Sequence, residues 1–245
     1  MILENECIDD LQINNLQIIQ KKDAFKFGID AVLLSDFAKD APSERTLDLC
    51  TGTGIIPILL SAKTTTPQIH GLEIQHDICD MAKRSVEHNG IGNRVHISEG
   101  DLKNACEIYG PVSFDKITCN PPYMEYGKGI VNHTDSITVS RHEIMCTLED
   151  VIRVSSKLLK QHGKFFMVHR PSRLADILCL MREYKIEPKR LRMVHPSISK
   201  AANLLLVEGA KCGGRELKLM PPLYVYNEDG TYTEEIDIIY NRKED

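Results

Sequence analysis

Apolar and polar positions along the chain switch between a period of two and a helical period, and the alternation outlines a repeating architecture. The run at 114–119 (Phe-Asp-Lys-Ile-Thr-Cys) reads as a buried strand. Pro121 and Pro122 must end it, because proline lacks a backbone donor and fixes φ. Residues 46–50 are strand-like and lead into Thr51-Gly52-Thr53-Gly54, after which Ile-Ile-Pro-Ile-Leu-Leu-Ser-Ala-Lys opens a helix. A further strand is expected at 68–74, a helix at 75–89 with Ile78, Met81, Ala82 and Val86 inward, and a strand at 94–97. Helices at 30–38, 147–160 and 173–184 and strands at 163–168, 189–194 and 204–208 complete the pattern. Strands alternating with helices predict an α/β fold, a mostly parallel sheet covered on both faces. The stretch 124–145 is polar and too long for a tight connection, and loops of that length are usually functional or disordered.

The totals keep this picture and narrow the setting. A chain of 245 residues, 42% hydrophobic and 27% charged, has ordinary globular composition. No apolar run approaches a membrane span, and the acidic start MILENECIDD is no signal peptide, so a cytoplasmic protein is expected. The eight cysteines are scattered, none closer than thirteen positions to the next, which fits reduced thiols and neither a metal site nor a disulfide framework. Net charge is -5, yet residues 157–218 carry eight lysines and six arginines against five carboxylates, a balance of +9 that leaves -14 for the remainder. Such asymmetry suits a face turned toward a polyanion; a solvated surface is the other reading.

Candidate chemistry gathers at strand ends. Asn120-Pro121-Pro122-Tyr123 sets a short amide, backbone carbonyls and an aromatic ring at the carboxyl end of a strand, where open α/β sheets place their ligands. The grouping suits an exocyclic amino group on a flat ring; a simple Asn-Pro turn is the alternative. Strand, glycine turn and helix at 46–63 give the second motif. Glycine allows positive φ and close approach of backbone to a ligand, and the helix start offers unpaired N–H groups. Glu73, roughly twenty residues past the glycines, is placed to accept from ribose hydroxyls. Asp101 follows the third strand, where it can receive an adenine amino group or cap a helix.

Asp48-Leu-Cys-Thr-Gly-Thr-Gly54, Glu73, Asp101 and Asn120-Pro-Pro-Tyr123, in that order and spacing, resemble the S-adenosylmethionine-dependent methyltransferases with a seven-stranded Rossmann-like sheet. The tetrapeptide resembles the [DNS]-P-P-[YFW] motif of enzymes that methylate planar nitrogens. Three flanking stretches, KKDAFKFGIDAVLLSDFA, SRHE at 140–143 and KLMPPLYVYNEDGTYTEEIDIIY, are similar to the bacterial tRNA(Val) adenine-37 N(6)-methyltransferase family in its Gram-positive-type branch. Cys50 stands where many relatives have glycine, and Ser140 where alanine is usual.

The resemblance implies one methyltransferase domain over 1–245: an amino-terminal cap segment at 1–44, a Rossmann-like core at 45–210 with one antiparallel strand, and a carboxyl-terminal extension at 211–245. It assigns S-adenosylmethionine to Phe27, Gly28, Asp30, Asp48, Cys50, Thr51, Gly52, Gly54, Glu73, Ile74, Asp101, Leu102 and Asn120, and the target nitrogen to Asn120, Pro121, Pro122 and Tyr123. The expected partner is tRNA, with Lys160, Arg170, Arg173, Lys189, Arg190 and Arg192 as candidate phosphate contacts and no metal. The rivals are methylation of a protein glutamine, which presents the same planar nitrogen, or of another RNA amino group, and an RNA-binding module with a relic cofactor site; a DNA adenine methyltransferase is disfavoured because no sizeable target-reading insertion is present. A glutamine methyltransferase usually brings an amino-terminal recognition domain, for which the roughly forty residues before the first core strand leave no room; the relic module has no need of an intact Asn120-Pro-Pro-Tyr123.

Overall fold

A computed structural model describes residues 2–22, 28–122 and 146–242. The chain opens with an antiparallel hairpin, β1 (Glu6–Asp10) and β2 (Gln17–Lys21), followed by helix α1 (Ile29–Phe37). The main sheet then grows by alternation: β3 (Arg45–Leu49), α2 (Ile55–Lys63), β4 (Gln68–Glu73), α3 (His76–His88), β5 (Val95–Glu99), the short α4 (Ala105–Tyr109) and β6 (Phe114–Cys119). Its second half holds α5 (Leu148–Leu158), β7 (Leu159–His169), α6 (Leu174–Glu183), β8 (Ile186–His195) and β9 (Leu204–Lys211). Two-residue strands β10 (Lys218–Leu219) and β11 (Leu223–Tyr224) and helix α7 (Glu234–Ile239) close the described chain.

Spatial order is β10-β8-β9-β7-β6-β3-β4-β5, with β11 also on β8. The seven long strands are the expected Rossmann-like set, and β9 is the one that runs antiparallel to its neighbours β7 and β8. Strands β10 and β11 extend the outer edge of β8 in parallel.

Each strand divides its side chains between two cores. Leu47, Leu49, Ile117, Cys119, Phe165 and Met167 pack with α5 and α6 on one face. Phe166, Val168, Leu204 and Leu206 pack with α1, α2, the hairpin and α7 on the other. Because alternate residues point to opposite faces, Asp48, Lys116 and Thr118 turn toward the α1 side, and all three are buried. Three polar side chains buried on one face of an otherwise apolar sheet mark where chemistry or a structural charge belongs.

Two features differ from the sequence expectation. The hairpin was not legible as strands; β2 docks on α3 through side chains, Ser85 Oγ accepting from Ile19 N at 3.0 Å and Asn89 Oδ1 from Gln17 N at 2.8 Å. The helix expected to reach 160 ends at Leu158, and β7 begins at once with Leu159 opposite Phe114. His162 adopts φ +63° inside that strand, and the register shifts between Phe114 and Lys116, so the local alternation that marks a strand is broken there.

Candidate active site

Strand register brings the separate motifs to one line. Asp48 lies level with Gly71 on β4 and Thr118 on β6, and Leu49 level with Leu72 and Cys119. Glu73 and Asn120 therefore stand one step further on, flanking Cys50 from its two neighbouring strands, about 10 Å apart by strand spacing. Asp101 follows β5 beyond Glu73, and His169 ends β7 beyond Asn120. All these strands are parallel, so their carboxyl ends form a single edge.

The turn after β3 is built from left-handed backbone: Cys50 at φ +56°, Gly52 at +57° and Gly54 at +83°. Among the described residues a Cβ on Gly52 would meet nothing within 4 Å, whereas one on Gly54 would lie 3.3 Å from Ala82 Cβ of α3. A left-handed conformation costs a residue with a side chain roughly 1–2 kcal/mol, and Cys50 bears that cost here. Glu73 fastens the turn, its Oε2 accepting from Gly52 N at 2.9 Å and its Oε1 from Gln75 N at 3.0 Å. Oε1 also accepts from Gln75 Nε2 at 3.2 Å, so it is Oε2 that keeps a second lone pair for another donor. Thr51 approaches β4 so closely that a Cβ on Gly71 would sit 2.9 Å from its Oγ1.

Beneath the turn, Thr118 donates its hydroxyl to Asp48 Oδ1 at 2.6 Å. The buried atoms Asp48 Oδ2 and Thr51 Oγ1 have no hydrogen-bond partner among the described residues. Burial pushes the Asp48 carboxyl up to about 7 against the lowering effects of Thr118 and of the nearby Thr51 hydroxyl. Hydrogen bonding with Cys119, then burial, pushes the Cys50 thiol well up, and burial raises Cys119. Protonated thiols are poor nucleophiles, so the sulfur beside the turn is inert toward an electrophilic donor.

Asn120 is half-buried and Pro121 buried at the end of β6. Asn120 Nδ2 donates to Asp30 Oδ2 at 3.2 Å, which ties the first turn of α1 to this strand end. Gly28 immediately precedes α1. Asp101 Oδ1 caps the following turn by accepting from Lys103 N at 2.8 Å, leaving its other oxygen for a second donor. Ile74 is half-buried after β4, and Leu102 is buried in the α5 core. His169 accepts at Nδ1 from Arg170 N at 2.8 Å, and burial lowers its imidazole to about 4, so it stays neutral. Phe27 and Tyr123 lie outside the described residues.

The basic candidates do not form one surface. Arg170 and Arg173 lie just past the end of β7, at the site edge, Arg170 donating to Asn203 O and Arg173 paired with Asp176 at 2.7 Å. Lys160 sits at the opposite end of the sheet, roughly 20 Å away along the strand, paired with Asp115 at 2.7 Å. Lys189 donates to Gly214 O at 3.1 Å. Arg190 pairs with Glu208 and donates to Phe37 O at 3.1 Å, and Arg192 pairs with Glu235 at 2.6 Å and donates to Pro221 O. Those last two hold α1 and the carboxyl-terminal residues to the sheet.

Sequence reasoning missed Thr118, Gly71 and Lys116. A signal was present at two of them: Lys116, Thr118 and Asn120 place polar residues at alternate positions of an otherwise apolar strand.

A family model for the methyltransferase small domain matches residues 15–183, a span that contains the glycine turn, Glu73, Asp101 and Asn120. The chain belongs to the methyltransferase small domain family. A tRNA1(Val) (adenine(37)-N6)-methyltransferase from Parabacteroides distasonis is 28% identical over 207 residues, covering 80% of this chain and 81% of its own length. Among solved structures, one described as a predicted O-methyltransferase from Agrobacterium tumefaciens gives a TM-score of 0.70 at 21% identity, over 86% of this chain and 95% of that one. Geranyl diphosphate C-methyltransferase from Streptomyces coelicolor gives 0.54 at 10% identity, over 73% and 75%. These two show a shared fold.

The residues of this methyltransferase small domain fit S-adenosylmethionine. That molecule carries an ammonium and a sulfonium, a ribose diol and an adenine amino group. The unpartnered Asp48 Oδ2 beside an open glycine turn suits the cationic part, Glu73 the diol and Asp101 the adenine, in that order along the edge. Among the described residues no helix is long and apolar enough to cross a membrane, and no cluster of His, Cys, Asp or Glu is arranged to hold a metal.

Proposed function

We propose that this chain methylates the exocyclic 6-amino group of an adenosine in tRNA, at position 37 beside the anticodon. The observation that carries the reading is the placement of Asn120 at the end of β6, directly beside the glycine turn and level with Glu73. The name of the Parabacteroides relative, which spans most of both chains, supports the same substrate.

S-adenosylmethionine supplies a methyl group on a sulfonium, from which a neutral thioether departs. The chain must do the rest. The lone pair of the adenine amino group is delocalised into the ring, so the nitrogen attacks poorly until its geometry changes. Asn120 Oδ1 and the Pro121 carbonyl each accept one N–H, which directs the lone pair out of the ring plane, and both bonds strengthen as the nitrogen becomes positive. An amide suits this work because it accepts without bringing a charge. Tyr123 supplies in this reading a ring for the extruded base, and such stacking is worth roughly 1–3 kcal/mol. The product nitrogen releases its proton to water, so no strong base is needed and the neutral His169 is not one. Alignment provides most of the gain. All eight cysteines are free thiols, which fits the reducing cytoplasm where tRNA resides.

Nucleoside mass spectrometry of tRNA incubated with the enzyme and labelled S-adenosylmethionine tests this. N6-methyladenosine confined to the anticodon-loop fragment is expected. Label in protein glutamine, or in no acceptor, would overturn the reading.

A further inference from the structure

We infer that Asp30 is a positioning residue whose carboxylate sets which end of the Asn120 amide faces the target nitrogen. The inference rests on the reading of Asn120 as an acceptor for the substrate amino group. It moves Asp30 from the cofactor contacts that the sequence resemblance implied to a task performed through another side chain.

The necessity is geometric. A half-turn about the last side-chain bond of asparagine exchanges its oxygen and nitrogen with almost no change in shape, so packing alone does not choose between them. Only one orientation is useful. With oxygen toward the substrate, the amide accepts an N–H; with nitrogen there, donor faces donor. A partner that discriminates between the two ends is therefore required.

Asp30 supplies the discrimination. Its carboxylate accepts and cannot donate, and its Oδ2 lies 3.2 Å from Asn120 Nδ2. The flipped amide would set two oxygens against each other. The other carboxylate oxygen, Oδ1, accepts from Ala31 N at 3.1 Å, which fixes the carboxyl group within the first turn of α1, where the helix N-terminus favours negative charge.

The helix that carries Asp30 is itself immobilised. Lys116 Nζ donates to Ala38 O at 2.8 Å from beneath, Arg190 donates to Phe37 O, and the Phe37 ring meets Phe166 edge-on at 5.9 Å. Ala31, Val32, Leu33 and Leu34 are buried in the core that also takes Ile236 and Ile239 of α7. A carboxylate on so fixed an element holds its partner within the tolerance that alignment demands. Gly28 leaves the space: a Cβ there would lie 2.5 Å from Asp30 Oδ1, and its φ of -89° suits any residue, so alanine at 28 would displace the carboxylate without straining the backbone.

The test compares wild type, Asp30→Asn, Gly28→Ala, Asn120→Ala and the double variant Asp30→Asn/Asn120→Ala. Steady-state tRNA methylation is combined with S-adenosylmethionine calorimetry and with the side-chain amide resonances of the 15N-labelled protein. The Asn120 resonance is identified by its loss in Asn120→Ala. Asp30→Asn is expected to lower kcat about 10- to 100-fold, the scale of a misaligned reacting group, with KM for tRNA and cofactor affinity unchanged. It should add nothing in the Asn120→Ala background, and it should shift the Asn120 amide signal. Gly28→Ala should lower kcat in the same direction and less. An equal loss in the Asn120→Ala background, a weakened cofactor with unchanged kcat, or an unmoved amide resonance would each overturn the inference. A wild-type enzyme that leaves tRNA unmethylated removes the tRNA reading alone, because the resonance measurement needs no substrate.

Discussion

Thr118 gives its hydroxyl to Asp48 Oδ1 at 2.6 Å, and the Thr51 side chain lies against the same buried carboxyl, whose second oxygen makes no hydrogen bond of ordinary geometry among the described residues. The two hydroxyls do not offset full burial, so the Asp48 carboxyl rises from 3.8 to about 7. Below 3.8 both folded and unfolded chains hold the proton. Between about 4 and 7 the folded chain binds more protons, so stability falls as pH rises through that window. Above 7 the charged carboxylate burdens the fold by on the order of 4 kcal/mol. Asp48→Asn should therefore raise the melting temperature at pH 8 and flatten its decline between pH 4 and 7, as scanning calorimetry across that range will show.

If Asp48 takes the cationic part of S-adenosylmethionine, as its place beside the glycine turn leads us to propose, that cation favours the ionised carboxyl, and binding below pH 7 should release a proton. Its affinity should climb toward tenfold per pH unit from pH 5 to about 7, then level before the ligand's own amine begins to deprotonate near 8. Titration calorimetry at pH 6 in two buffers of different ionisation enthalpy measures the release directly. In Asp48→Asn the release and the pH dependence should vanish and binding should weaken.

Asn120→Ala separates chemistry from cofactor binding. Removing one preorganised acceptor of this type lowers turnover by about 100- to 1,000-fold. Glu73, the glycine turn and Asp101 are untouched, so S-adenosylmethionine affinity should fall far less than turnover even though the resemblance also sets Asn120 against the cofactor. Retained turnover with intact binding would take Asn120 out of the mechanism.

The line of site residues along the sheet edge was legible because each motif announces its own local structure. Proline after a short apolar run ends a strand, and glycine between strand and helix makes a turn. Parallel order then puts all such ends on one side. What spacing along a chain does not carry is which face or which end a side chain occupies. Lys160, Arg190 and Arg192 are equally basic in sequence, yet one lies at the far end of the sheet and two fasten α1 and the residues beyond β10. The contact between Asp30 and Asn120 spans ninety positions and is set by the docking of α1. The first hairpin escaped notice because its two five-residue strands pair with each other and consecutive Ile18 and Ile19 are both buried, so no apolar–polar alternation marks them.

Lys116 offers an independent check on the fold beneath the site. Its ammonium is buried under α1 against the Ala38 carbonyl, and burial lowers it to about 8 from the ordinary 10.5. Here the unfolded chain binds more protons between about 8 and 10.5, so this group makes stability rise with pH across that window, the reverse of Asp48. Lys116→Met removes the buried charge and leaves the Ala38 carbonyl without its donor. Thermal melts from pH 7 to 10 should lose the upward contribution in the variant while the rest of the profile is shared with wild type.

Placement of the basic residues predicts which of them touch RNA. Phosphate contacts release counterions, so each one lost lowers the slope of log affinity against log salt by roughly one. Arg170 and Arg173 border the site, and both are exposed enough to exchange their present partners for phosphate. Lys160 is held by Asp115 at the opposite end of the sheet. Arg170→Ala and Arg173→Ala should each weaken tRNA binding and flatten its salt dependence, whereas Lys160→Ala should change neither. Filter binding between about 50 and 200 mM salt, over which several phosphate contacts change affinity by orders of magnitude, distinguishes the cases. An equal effect from Lys160→Ala would mean that tRNA wraps the far end of the sheet, and the contact surface would have to extend well beyond the strand ends that bear the chemistry.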